Sequence, residues 1–97
     1  MNPHERERVL QAMRQAVLDQ TYVLTPHAGL EMRKDRLDLV DVESAILTGT
    51  IENVFEDDPR GRRYEPVGKA CDLHTAVGVV VRFVGPMLII TVYEKQP

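Results

Sequence analysis

Hydrophobic residues recur along this chain with two different periods, and the shorter period is clearest between residues 75 and 93. In the run 77–83, apolar side chains occupy every second position, which is typical of a β-strand. In the run 87–93, both faces are apolar, which predicts a central strand covered on each side. Gly85 and Pro86 stand between the two runs, where a tight turn belongs. The pattern predicts a long antiparallel hairpin whose second strand lies inside a sheet.

Three upstream segments are predicted as helices. Residues 4–20 repeat their apolar side chains at three- and four-residue spacing. Thr25, followed by proline, marks the start of a second helix that ends near residue 35. Asp38 begins a third, whose apolar stripe stops at Gly49. The short segment 21–24 between the first two helices is β-branched and aromatic, and we expect it to be an edge strand.

From residue 51 the hydrophobic period changes back to two, and the turn-forming segment 57–61 separates two further strands. The predicted order is therefore helix, short strand, two helices and a β-meander. This order predicts an α+β domain with two to three helices packed on one face of a four-stranded, mostly antiparallel sheet. At 97 residues the chain is expected to form a single domain.

Composition excludes several classes of function. No apolar run approaches the ~20 residues of a membrane-spanning helix, and the first residues lack the apolar segment of a secretory signal. We therefore expect a cytoplasmic protein with no membrane partner. A single cysteine, Cys71, excludes an internal disulfide and a multi-cysteine zinc site. No motif for a metal or a nucleotide cofactor is present, so we predict none.

Charge is segregated along the chain. All charged residues between positions 37 and 58 are acidic, whereas basic residues cluster on both sides of this block. Such blocks are typical of solvated helix and loop faces, and they also occur where one anionic and one cationic face contact partners. Both interpretations stay open at this point.

Four segments in order resemble a known family: they read YVLTPHAGLEM, DLVDVESAILTGTI, EDDPRGRRYEPVG and LIITVYE. They are similar to domain-of-unknown-function family 4258, which is grouped with the RelE/ParE/BrnT-like toxin superfamily. The resemblance implies a RelE-like fold over residues 22–95, with residues 1–21 as an extra N-terminal helix. It also implies a toxin of a toxin–antitoxin module, an endoribonuclease that cleaves mRNA, often on the ribosome, and is silenced by an antitoxin.

RNA cleavage needs a base, an acid and cations around the phosphate, and RelE-like proteins tend to supply them on one face of the sheet. The resemblance thus implies two sets of candidates. The catalytic candidates are His27, Arg63, Tyr64, Arg82 and Tyr93. The candidates for binding RNA phosphates are Arg33, Lys34, Arg60, Arg62 and Lys69.

Each candidate also has a structural interpretation. His27 can fix the loop before its helix, the arginines near position 60 can pair with Asp57 and Asp58, and Tyr93 can belong to the core. Arg82 interrupts an apolar strand, so it must face water or pair with a carboxylate. The alternative functions are a non-catalytic protein-binding module and a homo-oligomer, such as a homodimer, joined through the edge strand or the first helix.

Overall fold

The computed structural model describes residues 1–96, in which three helices accompany a five-stranded sheet. The helices are α1 (Pro3–Asp19), α2 (Pro26–Lys34) and α3 (Leu39–Thr48). The strands are β1 (Tyr22–Leu24), β2 (Thr50–Phe55), β3 (Arg63–Lys69), β4 (Ala76–Phe83) and β5 (Met87–Glu94). The predicted α+β class and the order of its elements are confirmed.

The helices begin where their capping residues predict. The backbone N–H of Glu5 donates to Oδ1 of Asn2 (2.8 Å), and that of Ala28 donates to Oγ1 of Thr25 (3.1 Å). At the start of α3, the backbone N–H of Asp38 donates to Asp41 (2.9 Å). Each bond satisfies a backbone donor that an uncapped helix end would leave free.

The sheet has the strand order β1-β5-β4-β3-β2. The prediction of four strands is wrong, because β1 joins the sheet through a parallel pairing with β5 in which Tyr22 lies opposite Met87. The other three pairings are antiparallel. The predicted central position of the last strand is confirmed, since β5 lies between β1 and β4.

One face of the sheet carries the hydrophobic core. Its strand residues are Val77, Val79, Val81, Met87, Ile89 and Val92. The helices cover this face with Met13, Ala28, Val42, Ala45 and Ile46, among others. All of these side chains are buried, so the core forms a single layer between the three helices and the sheet.

We call the opposite side of the sheet the open face, because it carries none of the helices found in residues 1–96. Strand alternation and the pairing registers assign to it Arg63, Glu65, Val67, Gly78, Val80, Arg82, Leu88, Ile90 and Tyr93. In β5, Thr91 pairs with Val80 and Ile89 with Val81, so Ile90 is an extra, bulged residue. The bulge turns Thr91 to the open face beside Ile90 and returns Val92 to the core, opposite Val79.

Helix α1 is bonded to β2, an edge strand of the sheet, and to the residue that follows α3. A guanidinium N–H of Arg6 donates to the carbonyl oxygen of Ile51 in β2, and one of Arg14 donates to that of Gly49 (3.0 Å), after the end of α3. The bond to Ile51 occupies one carbonyl group that the exposed edge would offer to another chain. No helix within residues 1–96 has the length and apolar content needed to cross a bilayer.

The close approach of α3 to β3 generates a stability prediction. A Cβ atom on Gly68 would overlap the backbone carbonyl oxygen of Ala45, so one of the two backbones would have to shift. We expect Gly68→Ala to lower the free energy of unfolding by roughly 3 kcal/mol, measured by urea denaturation. The matched control is Gly29→Ala, where the nearest atom lies at 3.8 Å. It should stabilise α2 by up to about 1 kcal/mol. Equal effects of the two substitutions would contradict this account of the packing.

Candidate functional site

Two arginines lie side by side at one end of the open face. Tyr64 of β3 pairs with Val81 of β4, and this antiparallel register brings Arg63 next to Arg82. Like charges directly opposite each other on a sheet repel and destabilise it. The pair therefore needs a compensating anion.

Asp58, in the loop between β2 and β3, supplies that anion. Its Oδ2 lies 3.3 Å from Nη1 of Arg82 and 3.5 Å from Nε of Arg63. Its Oδ1 accepts from the backbone N–H of Arg60 (2.9 Å) and from Nε of the same residue (3.2 Å). These contacts with Arg60, backbone first and guanidinium second, hold the pKa of Asp58 below its usual value. We call Arg60, Arg63 and Arg82 the arginine cluster.

The arginine cluster is incompletely satisfied. Arg82 is 9% exposed, yet its Nε has no hydrogen-bond partner in the part of the chain that the structure describes. Nε of Arg63 is buried and likewise unpartnered there, while its guanidinium carbon lies 5.0 Å from the centre of the Phe55 ring. Buried donors without acceptors are uncommon because each costs free energy. This cluster therefore has N–H donors that are available to a further acceptor.

A pocket of about 340 Å³ opens beside the arginine cluster, and we call it the arginine pocket. The three arginines line it together with Leu88 and Ile90 from β5 and Thr25 and His27 from the start of α2. The start of α2 is held there because the backbone N–H of Thr25 donates to the carbonyl oxygen of Ile89 (3.0 Å). The pocket thus lies between the start of α2 and the central strands of the sheet.

Four predicted site residues meet in this pocket: His27, Arg60, Arg63 and Arg82. The side chain of His27 is 61% exposed, and its Nε2 lies 4.0 Å from Oε1 of Glu31. The structure therefore places one imidazole at the rim of a cationic pocket. Both predicted alternatives hold for Arg82, because its guanidinium pairs with the carboxylate of Asp58 and also lines the pocket.

Tyr64 and Arg62 lie outside the arginine pocket. Because neighbouring residues of a strand point to opposite faces, Tyr64 turns to the helix side, where its ring meets Phe83 edge to face at 6.5 Å. Arg62 pairs with Glu56 at 2.7 Å and approaches Glu5 of α1 at 3.8 Å. It ties the loop to α1 on the surface.

Tyr93 lies on the open face, where a buried carboxylate engages its hydroxyl. The hydroxyl donates to Oε2 of Glu65 (2.6 Å), whose other oxygen accepts from Nδ2 of Asn53 (2.6 Å). The ring covers Gly78, where a Cβ would overlap it. The sequence analysis did not nominate Glu65, a buried acid in β3. Glu65 lies two positions after Arg63, and strand alternation, which places both side chains on one face, was the available signal.

The remaining predicted phosphate-binding residues are scattered. Lys69 lines a separate groove of about 540 Å³, and its Nζ donates to the carbonyl oxygen of His74 (3.5 Å). In the same groove Lys95 pairs with Glu52 at 2.8 Å. Lys34 of α2 pairs with Glu31 at 3.7 Å. Neither Lys34 nor Arg33 is among the residues that line the arginine pocket.

Most of the acidic residues between positions 37 and 58 form ion pairs or hydrogen bonds with other groups of the same chain. Glu52, Glu56 and Asp58 pair with basic side chains that follow them in the chain. Glu43 accepts a hydrogen bond from the hydroxyl of Tyr22, and Asp41 accepts one from the backbone N–H of Cys71 (3.0 Å). Basic side chains of the same chain therefore neutralise three of the seven acidic charges in this block. Over residues 1–96, no group of three or more His, Cys, Asp or Glu side chains is arranged to hold a metal ion.

Comparison with known proteins gives one match. The family model for DUF4258, a domain of unknown function, matches residues 24–94. This span contains every residue of the arginine pocket and leaves α1 outside. No curated protein and no solved structure matches the chain.

The buried contact between Tyr93 and Glu65 generates a pH prediction. Burial, and then the hydrogen bond to Glu65, raise the pKa of Tyr93 above its usual value. A raised pKa in the folded state stabilises the fold below about pH 10, where the tyrosine of the unfolded chain is also protonated. This contribution is lost as the pH rises further. We expect the free energy of unfolding, measured in urea, to fall as the pH rises above about 10.

Tyr93→Phe should make this alkaline loss of stability shallower, because the ionising group is gone. Tyr64→Phe is the matched control, since the Tyr64 hydroxyl makes no hydrogen bond within residues 1–96. An alkaline slope that Tyr93→Phe leaves as steep as that of the unmodified chain would contradict the assignment.

Proposed function

The chain belongs to the DUF4258 family, and we propose that this member is a toxin-type endoribonuclease that holds an RNA phosphate in the arginine pocket. One observation carries the proposal: a nine-tenths-buried arginine with an unpartnered donor lines a pocket together with two further arginines and a histidine. Guanidinium groups bind phosphate oxygens through paired, charge-assisted hydrogen bonds. The resemblance to RelE-like toxins supports RNA as the source of that phosphate.

The pocket offers the groups that RNA cleavage requires. Attack of a 2′-hydroxyl on the adjacent phosphate builds negative charge on the phosphate oxygens, and nearby guanidinium groups stabilise that charge. Imidazole groups accept and donate protons near neutral pH. In the proposed mechanism, Arg63 and Arg82 therefore hold the phosphate while His27, at the rim, takes the proton of the attacking 2′-hydroxyl. As the new bond to phosphorus forms, the bond from phosphorus to the 5′-oxygen breaks, and the protonated His27 returns its proton to that departing oxygen, which leaves a 2′,3′-cyclic phosphate.

The two tyrosine candidates have no part in this mechanism. The hydroxyl of Tyr93 is hydrogen-bonded to Glu65, and the raised pKa of Tyr93 disfavours its acting as a base. Tyr64 lies on the helix side of the sheet, away from the arginine cluster. In this proposal all proton transfer thus depends on His27.

The partners in this proposal are mRNA, free or on the ribosome, and an antitoxin that silences the enzyme. The uncovered open face supports such an arrangement, because a partner that covers the arginine pocket would exclude RNA. The acidic block gives little support to a basic antitoxin, since basic side chains of the chain itself neutralise much of it.

A second function is favoured by one observation. Because both tyrosines are unsuited to proton transfer, His27 is the one proposed proton-transfer group, and its side chain is largely exposed. A pocket that binds phosphate without cleaving RNA would have the same arginine cluster. The second candidate is therefore a non-catalytic phosphate-binding module that retains a toxin-like fold.

Inducible expression of variants tests the proposed toxin. We expect the unmodified chain to arrest growth and to create new mRNA ends, and Arg63→Ala to relieve both. Removing one donor that stabilises the developing charge slows cleavage by roughly 10²–10³-fold. Arg62→Ala is the matched control, because Arg62 comes from the same segment but pairs with Glu56 outside the pocket. Growth arrest that persists in Arg63→Ala, at equal levels of folded protein, would contradict the proposal.

His27→Ala separates the two candidate functions. If His27 moves the proton, this variant should lose about 10²–10⁴-fold in the cleavage rate of a purified RNA, while its RNA affinity, measured by fluorescence anisotropy, changes much less. A cleavage rate equal to that of the unmodified chain would exclude His27 as the base. Binding without cleavage by the unmodified chain would establish the phosphate-binding module instead.

A further inference from the structure

The arginine cluster has more positive charge than its surroundings neutralise. Three guanidinium groups share the single carboxylate of Asp58, which is buried beneath them with 7% of its side chain exposed. Glu65, the nearest other acid in β3, is already hydrogen-bonded to Asn53 and Tyr93. Within residues 1–96, no carboxylate other than Asp58 forms an ion pair with Arg60, Arg63 or Arg82, so two of the three positive charges have no ion-pair partner of their own. Crowded like charges destabilise a site until an anion binds.

We propose that the arginine pocket binds a phosphate monoester more tightly than it binds the phosphodiester inside an RNA strand. This inference rests on the proposed function only in taking phosphate as the anion. A phosphate monoester has a charge of about −1.5 to −2 near pH 7 and three terminal oxygens. An internal diester carries one charge and two such oxygens. The charge of the monoester balances both of the guanidinium groups that have no ion pair of their own. The single charge of a diester balances only one of them.

The hydrogen-bonding capacity of the cluster agrees with this choice. Within residues 1–96, the guanidinium of Arg63 forms no hydrogen bond, and that of Arg82 forms only the one to Asp58. Each guanidinium carries five N–H donors in a fixed fork. The guanidinium groups of Arg63 and Arg82 lie next to each other on neighbouring strands, so together they can donate to a group with several terminal oxygens. Asp58 holds both side chains in place before any ligand arrives, which lowers the entropy lost on binding.

The pocket has room for more than the phosphate. Its volume of about 340 Å³ includes an apolar wall formed by Leu88 and Ile90 on β5. A sugar can lie against such a wall while its phosphate faces the arginines. The ligand chemistry shared by an RNA end and a mononucleotide, a sugar with a terminal phosphate, fits this arrangement.

Binding of internally labelled oligouridines to the full chain tests the proposal. Three RNAs of one sequence are compared by anisotropy: one with a 5′-phosphate, one with a 3′-phosphate and one with hydroxyl groups at both ends. Competition with uridine 5′-monophosphate is measured in parallel. At least one phosphorylated RNA should bind roughly tenfold more tightly than the unphosphorylated RNA, a difference of about 1.4 kcal/mol.

Two variants link that preference to the cluster. Arg63→Gln should abolish the preference for a terminal phosphate, whereas Arg62→Ala should keep it. If Arg63→Gln fails to fold, the melting temperature of the unmodified chain tests the same preference. Uridine 5′-monophosphate should raise it more than a dinucleoside phosphodiester at the same concentration, because a ligand that binds only the folded state stabilises that state.

Equal binding of all three RNAs would overturn the monoester proposal and leave internal RNA binding intact. A terminal-phosphate preference that Arg63→Gln retains would also overturn it. Tighter binding of phosphorylated RNA than of the mononucleotide would support the proposal with an RNA end as the source, and equal affinity would support it with a small phosphate monoester. A preference without RNA cleavage would uphold this inference and contradict the endoribonuclease.

Discussion

The close approach of α3 to β3 is the constraint on which the architecture depends. Gly68 and Gly49 leave no space for side chains where the two backbones meet, so the helix lies directly on the strand. This contact brings Val42, Ala45 and Ile46 into the core above β3 and β4. With α3 fixed there, α1 packs against its outer side and α2 covers β5. The helix layer is thereby confined to one face, and the other face of the sheet is left for polar chemistry.

Electrostatics divide that open face into two regions. Around Glu65, the hydrogen bonds from Tyr93 and Asn53 satisfy both carboxylate oxygens, and the region is closed to further partners. Around Asp58, one carboxylate serves three arginines, and positive charge is left over. A polar network whose hydrogen bonds are all formed stabilises a fold, whereas buried donors without acceptors are available to a ligand. The arginine pocket is therefore the region of this face with buried, unpartnered donors, and its positive charge favours anions over other ligands.

Local signals in the sequence predicted most of the fold. Asn2, Thr25 and Asp38 mark helix starts because capping depends on residues that are neighbours in the chain. The pairing of β1 with β5 joins residues some 65 positions apart, and no local pattern reveals such a partner. The site was predicted in part for a related reason. Arg63 and Tyr64 were both nominated for one site, although successive residues of a strand point to opposite faces. Asp58 was recognised only as a surface partner, since its burial depends on how the loop folds over β4.

The parallel pairing of β1 with β5 has a consequence for the chain as it leaves the ribosome. His27 and Thr25 are synthesised early, but they reach the arginines only after residues near Ile89 have emerged and inserted beside β4. Until then β1 has no partner, and the histidine and arginine halves of the pocket remain apart. A nascent chain that stalls before β5 is made would thus hold its catalytic candidates in an unassembled state. The order of translation itself delays the appearance of a complete pocket until the sheet is finished.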